Sequence, residues 1–146
     1  MLETDFLIVG AGIAGASIAY RLAPSARVTL IDMEDQAGYH TTGRSAAFYA
    51  ETYGGPLIQP FTSASKSFFH KPPCGFSDVP LISELGAIHV FHEGQENEAE
   101  ALYASLCCAL PNVRMLSCAD VMAFLPQLRE EYVAGGIYDP DCSSLD

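Results

Sequence analysis

Three glycines near the start of the chain have the spacing of a phosphate-binding turn. Gly10, Gly12 and Gly15 match the pattern G-x-G-x-x-G and stand between a short apolar run and a predicted helix. In such a turn the first glycine permits the tight bend, the second lets the backbone approach a pyrophosphate, and the third lets the helix pack on the strand. The backbone N–H groups of Ile13 and Ala14 would then face the phosphates, aided by the helix dipole. The pattern predicts a dinucleotide site.

The elements that must position these glycines form a predicted βαβ unit. Buried strands are predicted over residues 5–9 and 27–31, with a helix over residues 13–22 between them. Asp32 follows the second strand, where its carboxylate can accept hydrogen bonds from ribose hydroxyls and would repel the 2′-phosphate of NADP. The alternative is an ordinary glycine-rich turn that binds no ligand, and the strand–helix–strand context disfavours it.

The segment after Asp32 favours FAD over NAD. In a nicotinamide-type fold the second strand leads through a crossover to a third parallel strand, whereas residues 33–43 here are polar and rich in turns. A helix is predicted over residues 44–51. Hydroxyl groups and backbone donors would gather at its N-terminus and could anchor a second part of an extended cofactor.

This part of the chain resembles the start of flavoenzymes of the D-amino-acid oxidase superfamily. The resemblance covers Asp5–Ala47, and the stretch Gly38–Ala47, with the sequence GYHTTGRSAA, is especially similar to D-amino-acid dehydrogenases of the D-arginine dehydrogenase type. Tyr138-Asp139-Pro140, followed by Leu145-Asp146, also matches that group. The resemblance implies noncovalent FAD and hydride transfer from an amine-bearing carbon to the flavin, which gives an imine that water hydrolyses.

The resemblance also implies roles for individual residues. Asp32 would contact the adenosine ribose with Met33 beside it, and Phe48 and Tyr53 would reach toward the substrate pocket. Simple helix packing is the alternative for those two aromatic residues. For His40 we expect a hydrogen bond within the loop instead of a catalytic role, because no acidic partner is evident nearby in the sequence. The residues implied to line the path from pyrophosphate to flavin are Thr41, Thr42, Gly43, Arg44, Ser45, Ala46 and Ala47.

Two departures from the family pattern bear on the substrate. Relatives that accept cationic amino acids tend to carry a histidine near Phe48 and an acidic residue near Ala87, and both positions are apolar here. The expected substrate is therefore a D-amino acid or a related amine with a neutral or apolar side chain. The enzymatic alternative is a 2-hydroxy-acid or glycerol-phosphate dehydrogenase of the same flavoprotein family. The alternative from another class is a catalytically incomplete nucleotide-binding fragment.

The rest of the chain predicts a mixture of short strands and helices. Ser117 and Asp120 resemble a capping box, with Asp in the usual Glu position, at the start of a short helix that ends before Pro126. The other predicted helices are residues 57–70 and 96–110, and the predicted extended segments are residues 81–83, 87–91, 113–116 and 133–138.

The expected fold is α/β, with an FAD-binding Rossmann-like βαβ unit followed by the start of an α+β substrate domain. Residues 1–79 would be the N-terminal part of the FAD-binding domain, and residues 80–138 the first part of the substrate domain. With residues 139–146 the chain would begin its return to the FAD-binding domain. Asp146 has the character of a helix N-cap. We therefore expect an incomplete fold, a truncated product or one piece of a split enzyme, whose partner is the missing C-terminal half.

The amino-acid composition limits which binding partners and which cellular location we expect for the protein. Eighteen acidic against seven basic residues give a net charge of −11, which disfavours nucleic acid as a partner. Five cysteines without CxxC spacing predict reduced thiols, no metal site and a cytoplasmic location. The uncharged run 6–20 follows acidic residues and is too short to span a bilayer. Only 17% of residues are charged, against about 25% in a typical domain, which indicates a surface covered by further protein.

Overall fold

The computed structural model describes residues 3–145, which fall into two compact units that divide between Ala46 and Ala47. The first unit is a strand, a helix and a strand, with the two strands adjacent and parallel. This is the βαβ unit that the sequence predicted. Its elements are β1 (Phe6–Val9), α1 (Ile13–Leu22) and β2 (Val28–Ile31).

The register of the first unit brings two predicted site residues to one edge of the sheet. Val9 lies opposite Ile31, so β1 and β2 end together. Gly10 N then donates a hydrogen bond to Ile31 O over 2.7 Å. The residues that follow the strands, Gly10 and Asp32, therefore leave the sheet side by side, as parallel pairing requires.

The second unit contains two antiparallel sheets of three strands each, in the orders β3-β8-β4 and β5-β7-β6. It contains the residues 80–138 for which the sequence predicted an α+β fold, together with flanking residues on both sides. Its elements are β3 (Phe48–Tyr49), α2 (Gly55–His70), β4 (Ile82–Glu84), β5 (Ala87–Phe91), α3 (Glu96–Leu106), β6 (Arg114–Ser117), α4 (Cys118–Phe124), β7 (Gly135–Asp139) and β8 (Ser143–Leu145).

The core of the second unit is built around the central strand β7. Ile137 is almost completely buried and packs with residues of α3, while Val121 of α4 is completely buried in a neighbouring cluster. A Cβ on Gly136 would lie 2.7 Å from Ile88 Cγ2 and 2.9 Å from Val121 Cγ2. Glycine at this position therefore lets α4 and β5 pack closely on the central strand.

The capping box predicted at the start of α4 is confirmed. Ser117 Oγ accepts a hydrogen bond from Asp120 N over 3.2 Å, and Asp120 Oδ2 accepts one from Ser117 N over 3.1 Å. Each side chain thus satisfies a backbone donor that the helix itself leaves free.

The helix predicted over residues 44–51 is wrong. A single 3-10 turn covers Thr42–Arg44, after which the chain is extended and forms β3. Ala47 has a φ of 53°, in the left-handed region, which a continuing α-helix cannot include. Phe48 instead pairs with Ser144 of β8, a strand that the sequence did not predict.

Helix α3 is shorter than predicted, because it ends at Leu106 and not at Leu110. Leu106 O accepts hydrogen bonds from both Ala109 N and Leu110 N, which is the geometry of a tightening last turn. Pro111 follows and disfavours helical backbone at the residue before it.

The predicted domain limits at residues 79 and 138 stay a prediction, since compactness divides the chain only after Ala46. The predicted N-cap Asp146 lies outside the described residues. Among residues 3–145, no helix combines the length and the apolar character needed to cross a bilayer.

Candidate functional site

The turn between β1 and α1 requires glycine at two positions. Gly10 has a φ of 101°, a backbone conformation that residues with a Cβ rarely adopt. A Cβ on Gly15 would lie 1.8 Å from Gly10 O, a distance at which atoms overlap. The bend and the close approach of α1 to β1 therefore depend on these two glycines, which are the jobs that the sequence pattern assigned to them.

An oxygen atom already lies at the N-terminus of α1. Gly12 is the N-cap residue with extended backbone, and Ile13 N donates a hydrogen bond to Thr42 Oγ1 over 3.0 Å. A Cβ on Gly12 would lie 3.1 Å from the same hydroxyl oxygen. The first N–H group of the helix, at Ile13, thus meets a hydrogen-bond acceptor at the position where a phosphate oxygen would bind.

Asp32 joins the turn to the end of β2. Its Oδ2 accepts a hydrogen bond from Ala11 N, and its Oδ1 accepts one from Glu34 N over 3.0 Å. These hydrogen bonds from backbone N–H groups hold the pKa of the exposed Asp32 carboxyl below its ordinary value, and the bond from Ala11 contributes most. The group is therefore an anion at neutral pH, with the character needed to accept hydrogen bonds from ribose hydroxyls.

The loop that follows β2 folds back onto the glycine turn. Gly38 N donates a hydrogen bond to Ala11 O over 3.1 Å, and Gly43 N donates one to Gly38 O over 2.6 Å. A Cβ on Gly43 would lie 2.6 Å from Gly38 O, so this fold of the loop requires glycine at position 43. The result is a cavity of about 170 Å³, lined by residues 38–42 together with Gly12 and Asp32.

A second recess, of about 420 Å³, lies along the same loop. His40, Thr41, Arg44 and Ser45 line it. The Arg44 guanidinium stands 5.3 Å from the centroid of the Tyr39 ring, a cation–π distance. The recess therefore combines hydroxyl groups with a held positive charge, which suits a phosphate or another anionic group.

The hydrogen bond expected for His40 within the loop is confirmed, but the expectation that it lacked an acidic partner was wrong. His40 Nε2 lies 2.7 Å from Glu34 Oε1. The two residues are six positions apart in an irregular loop, where no periodicity links them, so no local pattern indicated that they would pair. Their contact braces the loop that carries Thr41 and Thr42.

Met33 and Ala46 are further predicted site residues of the first unit, and they line neither cavity. Met33 follows Asp32 with its side chain 89% exposed, and Ala46 is exposed at the end of the first unit. Phe48, on β3, and Tyr53, in the loop before α2, belong to the second unit and are 59% and 77% exposed. Neither residue lies in a helix.

The second unit also buries polar residues that the sequence analysis did not identify. Glu51, Thr52 and Asp139 are only 6%, 7% and 2% exposed. An isolated acid or hydroxyl in an apolar stretch carries no spacing that reveals burial, which explains the omission. Within residues 3–145, no three His, Cys, Asp or Glu side chains gather in a way that could hold a metal ion.

A family model matches almost the whole chain. The model is described as DAO, FAD dependent oxidoreductase, and it matches residues 5–146. The matched range includes the glycine turn, Asp32 and the whole second unit.

Solved structures share the fold. An L-alpha-glycerophosphate oxidase from Mycoplasma pneumoniae with FAD bound is 22% identical and superposes with a TM-score of 0.82, over 100% of this chain and 40% of that one. A glycine oxidase from Geobacillus kaustophilus is 20% identical with a TM-score of 0.78, over 97% and 40%. An L-proline dehydrogenase from P. horikoshii is 17% identical with a TM-score of 0.68, over 99% and 38%. The chain thus spans about two fifths of the length of these proteins.

Proposed function

The chain belongs to the DAO family of FAD dependent oxidoreductases, and from this membership we propose that it is the N-terminal part of an enzyme that oxidises D-amino acids or related amines. FAD is the cofactor of the family and is present in the similar glycerophosphate oxidase, so the prediction of FAD over NAD is confirmed. The observation that supports the proposal best is the loop 33–45, which folds over the N-terminus of α1 beside Asp32.

The residues of the first unit suit FAD. A pyrophosphate oxygen would replace the Thr42 hydroxyl beside Gly12, and the N–H groups of Ile13 and Ala14 would donate hydrogen bonds to it, with Gly10 and Gly15 shaping the turn.

Other residues would bind the ribose and the remainder of the cofactor. The Asp32 carboxylate would accept hydrogen bonds from the ribose, beside Met33. When bound, the cofactor supplies a flavin ring that accepts a hydride from the amine-bearing carbon. We assign the path from pyrophosphate to flavin to Thr41, Thr42, Gly43, Arg44, Ser45, Ala46 and Ala47.

The substrate assignment rests on the exposed aromatic residues of the second unit. Phe48 and Tyr53 are exposed, so both side chains are accessible to a substrate, and the family resemblance implies that they reach toward it. We place them at the substrate pocket. Since Phe48 and Ala87 are apolar, the substrate side chain would be neutral or apolar, although the loop Gly38–Ala47 is most similar to enzymes of the D-arginine dehydrogenase type.

The remainder of the enzyme would be supplied by a further C-terminal part. In this proposal residues 1–79 and 139–146 belong to the FAD-binding domain, residues 80–138 belong to the substrate domain, and the enzyme works in the cytoplasm. The further part would cover the exposed apolar surface of both units. Fractionation of cells that produce the protein checks the location.

The test is a substrate screen on the chain completed by its C-terminal part. The visible absorption spectrum and the intact mass first establish that FAD is bound without a covalent link. Steady-state rates with a panel of D-amino acids should then give the highest kcat/KM for neutral or apolar side chains. Highest values for D-arginine and D-lysine would overturn the assignment of Phe48 and Ala87 to the pocket. A preference for 2-hydroxy acids or glycerol phosphate would favour the other flavoprotein activity.

A further inference from the structure

The loop between β3 and α2, residues 50–54, changes from buried to exposed side chains within three residues. Glu51 and Thr52 are buried, whereas the next residue, Tyr53, is 77% exposed. Tyr53 N donates a hydrogen bond to Ala50 O over 3.3 Å, so the loop is a turn. Because buried neighbouring side chains hold the turn in place, the Cα–Cβ bond of its exposed residue has a defined direction.

Glu51 connects this loop to α2. Its Oε1 accepts a hydrogen bond from Lys66 Nζ over 2.8 Å, and its Oε2 accepts a short one from Ser63 Oγ. Ser63 Oγ in turn accepts a hydrogen bond from Gln59 Nε2 over 2.7 Å. The contacts with Ser63 and Lys66 lie one helical turn apart on α2, so both oxygens of the carboxylate are fixed against one face of the helix.

Thr52 connects the loop to the sheet. Its hydroxyl donates a hydrogen bond to Asp139 Oδ2 over 3.1 Å and lies 3.3 Å from His89 Nε2. Asp139 is the last residue of the central strand β7, and His89 lies on β5, which pairs with it. The loop is therefore attached at consecutive residues to a helix and to a sheet.

The two attachments are joined into one closed network. Asp139 Oδ1 accepts a hydrogen bond from Asp141 N over 3.0 Å, and Asp141 Oδ2 lies 3.8 Å from Lys66 Nζ. Lys66 thus faces Asp141 as well as Glu51, and the chain between Glu51 and Thr52 completes the ring. The hydrogen bond between Lys66 and Glu51 is the main cause that raises the pKa of Lys66, so Lys66 stays a cation within this network at neutral pH.

We propose that Glu51 and Thr52 are positioning residues that fix the loop 50–54 and thereby set the direction of the Tyr53 side chain toward the substrate. The inference rests on the proposed function, in which Tyr53 lies at the substrate pocket. Neither Glu51 nor Thr52 touches substrate in this scheme. Both act through the backbone of Tyr53, and the aromatic ring alone meets the substrate.

The full chain contains no tryptophan, so Tyr53→Trp introduces a single fluorescent reporter at the position in question. In this background Thr52→Val removes the hydroxyl and keeps the shape, while Thr52→Ser keeps the hydroxyl. We expect Thr52→Val to lower the fluorescence anisotropy of the introduced indole and to accelerate amide exchange at residues 52–54 about tenfold, as loss of one buried hydrogen bond allows. Thr52→Ser should restore both values. Equal values in the two variants would overturn the role of Thr52.

Glu51→Gln tests the other attachment, with Glu100→Gln on the exposed surface of α3 as the matched control. Both substitutions remove one negative charge, but only Glu51→Gln weakens the link with Lys66. We expect lower anisotropy of the indole reporter for Glu51→Gln at temperatures where far-UV circular dichroism shows a folded chain. Unchanged anisotropy in both Glu51→Gln and Thr52→Val would overturn the proposal.

A separate measurement distinguishes failure of the positioning role from failure of the proposed function. In the enzyme completed by its C-terminal part, addition of a D-amino acid should change the indole emission of the Tyr53→Trp variant by more than that of the enzyme with Tyr53 unchanged, and Thr52→Val should raise KM while FAD affinity stays unchanged. A loosened loop with no response of the reporter to any substrate would contradict the place of Tyr53 at the pocket, yet would support the attachment of the loop. A response of the reporter to substrate, with no loosening of the loop in the variants, would support the place of Tyr53 at the pocket and contradict the positioning role of Glu51 and Thr52.

Discussion

At the scale of single residues, Asp32 has two tasks. Its carboxylate accepts hydrogen bonds from Ala11 N and Glu34 N, which holds the glycine turn against the following loop. The same oxygens are those we assign to the ribose of FAD. A substitution at this position therefore changes the ligand site and its frame together, and the design of a variant must separate the two.

We expect Asp32→Asn to lower FAD affinity about five- to tenfold, because a charge-assisted hydrogen bond to the ribose becomes a neutral one, a difference of about 1–1.5 kcal/mol. Asparagine keeps an acceptor oxygen for only one of the two backbone donors, Ala11 N or Glu34 N, so circular dichroism of the variant must first show a folded chain. Titration of FAD fluorescence measures the dissociation constant. Asp35→Asn, which removes an equal charge from an exposed residue of the same loop, should leave it unchanged. Equal effects of both substitutions would indicate general electrostatics and not a ribose contact.

Lys66 offers a test of stability at the same scale. Lys66→Met leaves the buried Glu51 carboxylate without its cation, and should lower the free energy of unfolding by about 1–3 kcal/mol. This is less than the loss expected for a fully buried pair, because the Lys66 side chain is 37% exposed. Urea denaturation at pH 7 measures the difference. A change within about 0.5 kcal/mol would mean that solvent screens the pair completely.

The pH dependence of that difference has a definite sign. The pKa of Lys66 is raised above its ordinary value of 10.5 in the folded chain, chiefly by its hydrogen bond with Glu51. Its contribution to stability is therefore fully present below pH 10.5 and is lost as the pH rises through the folded pKa. We expect the stabilities of the natural chain and Lys66→Met to converge above pH 10.5. Urea unfolding at stepped alkaline pH measures this, and a constant difference would contradict it.

At the scale of elements, the capping box of α4 can be tested alone. Ser117→Ala removes the acceptor for Asp120 N and should lower the free energy of unfolding by about 1 kcal/mol. Ser17→Ala, on the exposed surface of α1, is the matched control and should have a much smaller effect. Hydrogen bonds from Ser117 also lower the pKa of Asp120, so this part of the stability is present above pH 3.8 and is lost as the pH falls through the folded pKa. Acid titration of both variants checks the sign.

The elements also show how far local sequence determines this fold. The βαβ unit, α2, α3 and the α4 cap were predicted because their glycines, apolar periodicity and cap residues are local features. Strands β3 and β8 were missed because two or three residues carry no period, and the pairing of Phe48 with Ser144 is set by distant parts of the chain. Asp32 and the glycines were found by spacing. Burial of Glu51 and Thr52 depends on α2 and β7, so no local pattern could have revealed it.

At the scale of the whole molecule, we expect the 146-residue chain alone not to turn over. It spans about two fifths of the length of the solved proteins that it resembles, and substrate orientation can contribute ~7–11 kcal/mol toward a barrier. The test is to express residues 1–146, add FAD and assay reduction of an artificial acceptor with a panel of D-amino acids. The same assay with the C-terminal part added is the positive control. Robust turnover by the monomeric chain would contradict the prediction.

The same chain should associate with itself. The strands of the first unit expose apolar side chains and leave two edges that backbone pairing can extend. We expect the mean mass to rise with concentration in analytical ultracentrifugation, and to fall when the C-terminal part is present. A constant monomer mass over the accessible concentrations would oppose this expectation. The exposed apolar residues of β1 and β2 include Phe6, Leu7, Val9, Leu30 and Ile31.

The pairing of β3 with β8 has a consequence for biosynthesis. The first unit has its two strands within 31 residues of the N-terminus, so it can form soon after these residues leave the ribosome. Phe48, by contrast, can pair with Ser144 only after about a hundred further residues have been translated. At ~5–20 residues per second, the roughly 110 residues between these events take about 6–20 s. During that interval β3 of the nascent chain is unpaired, and chaperones that bind extended apolar segments have time to reach it.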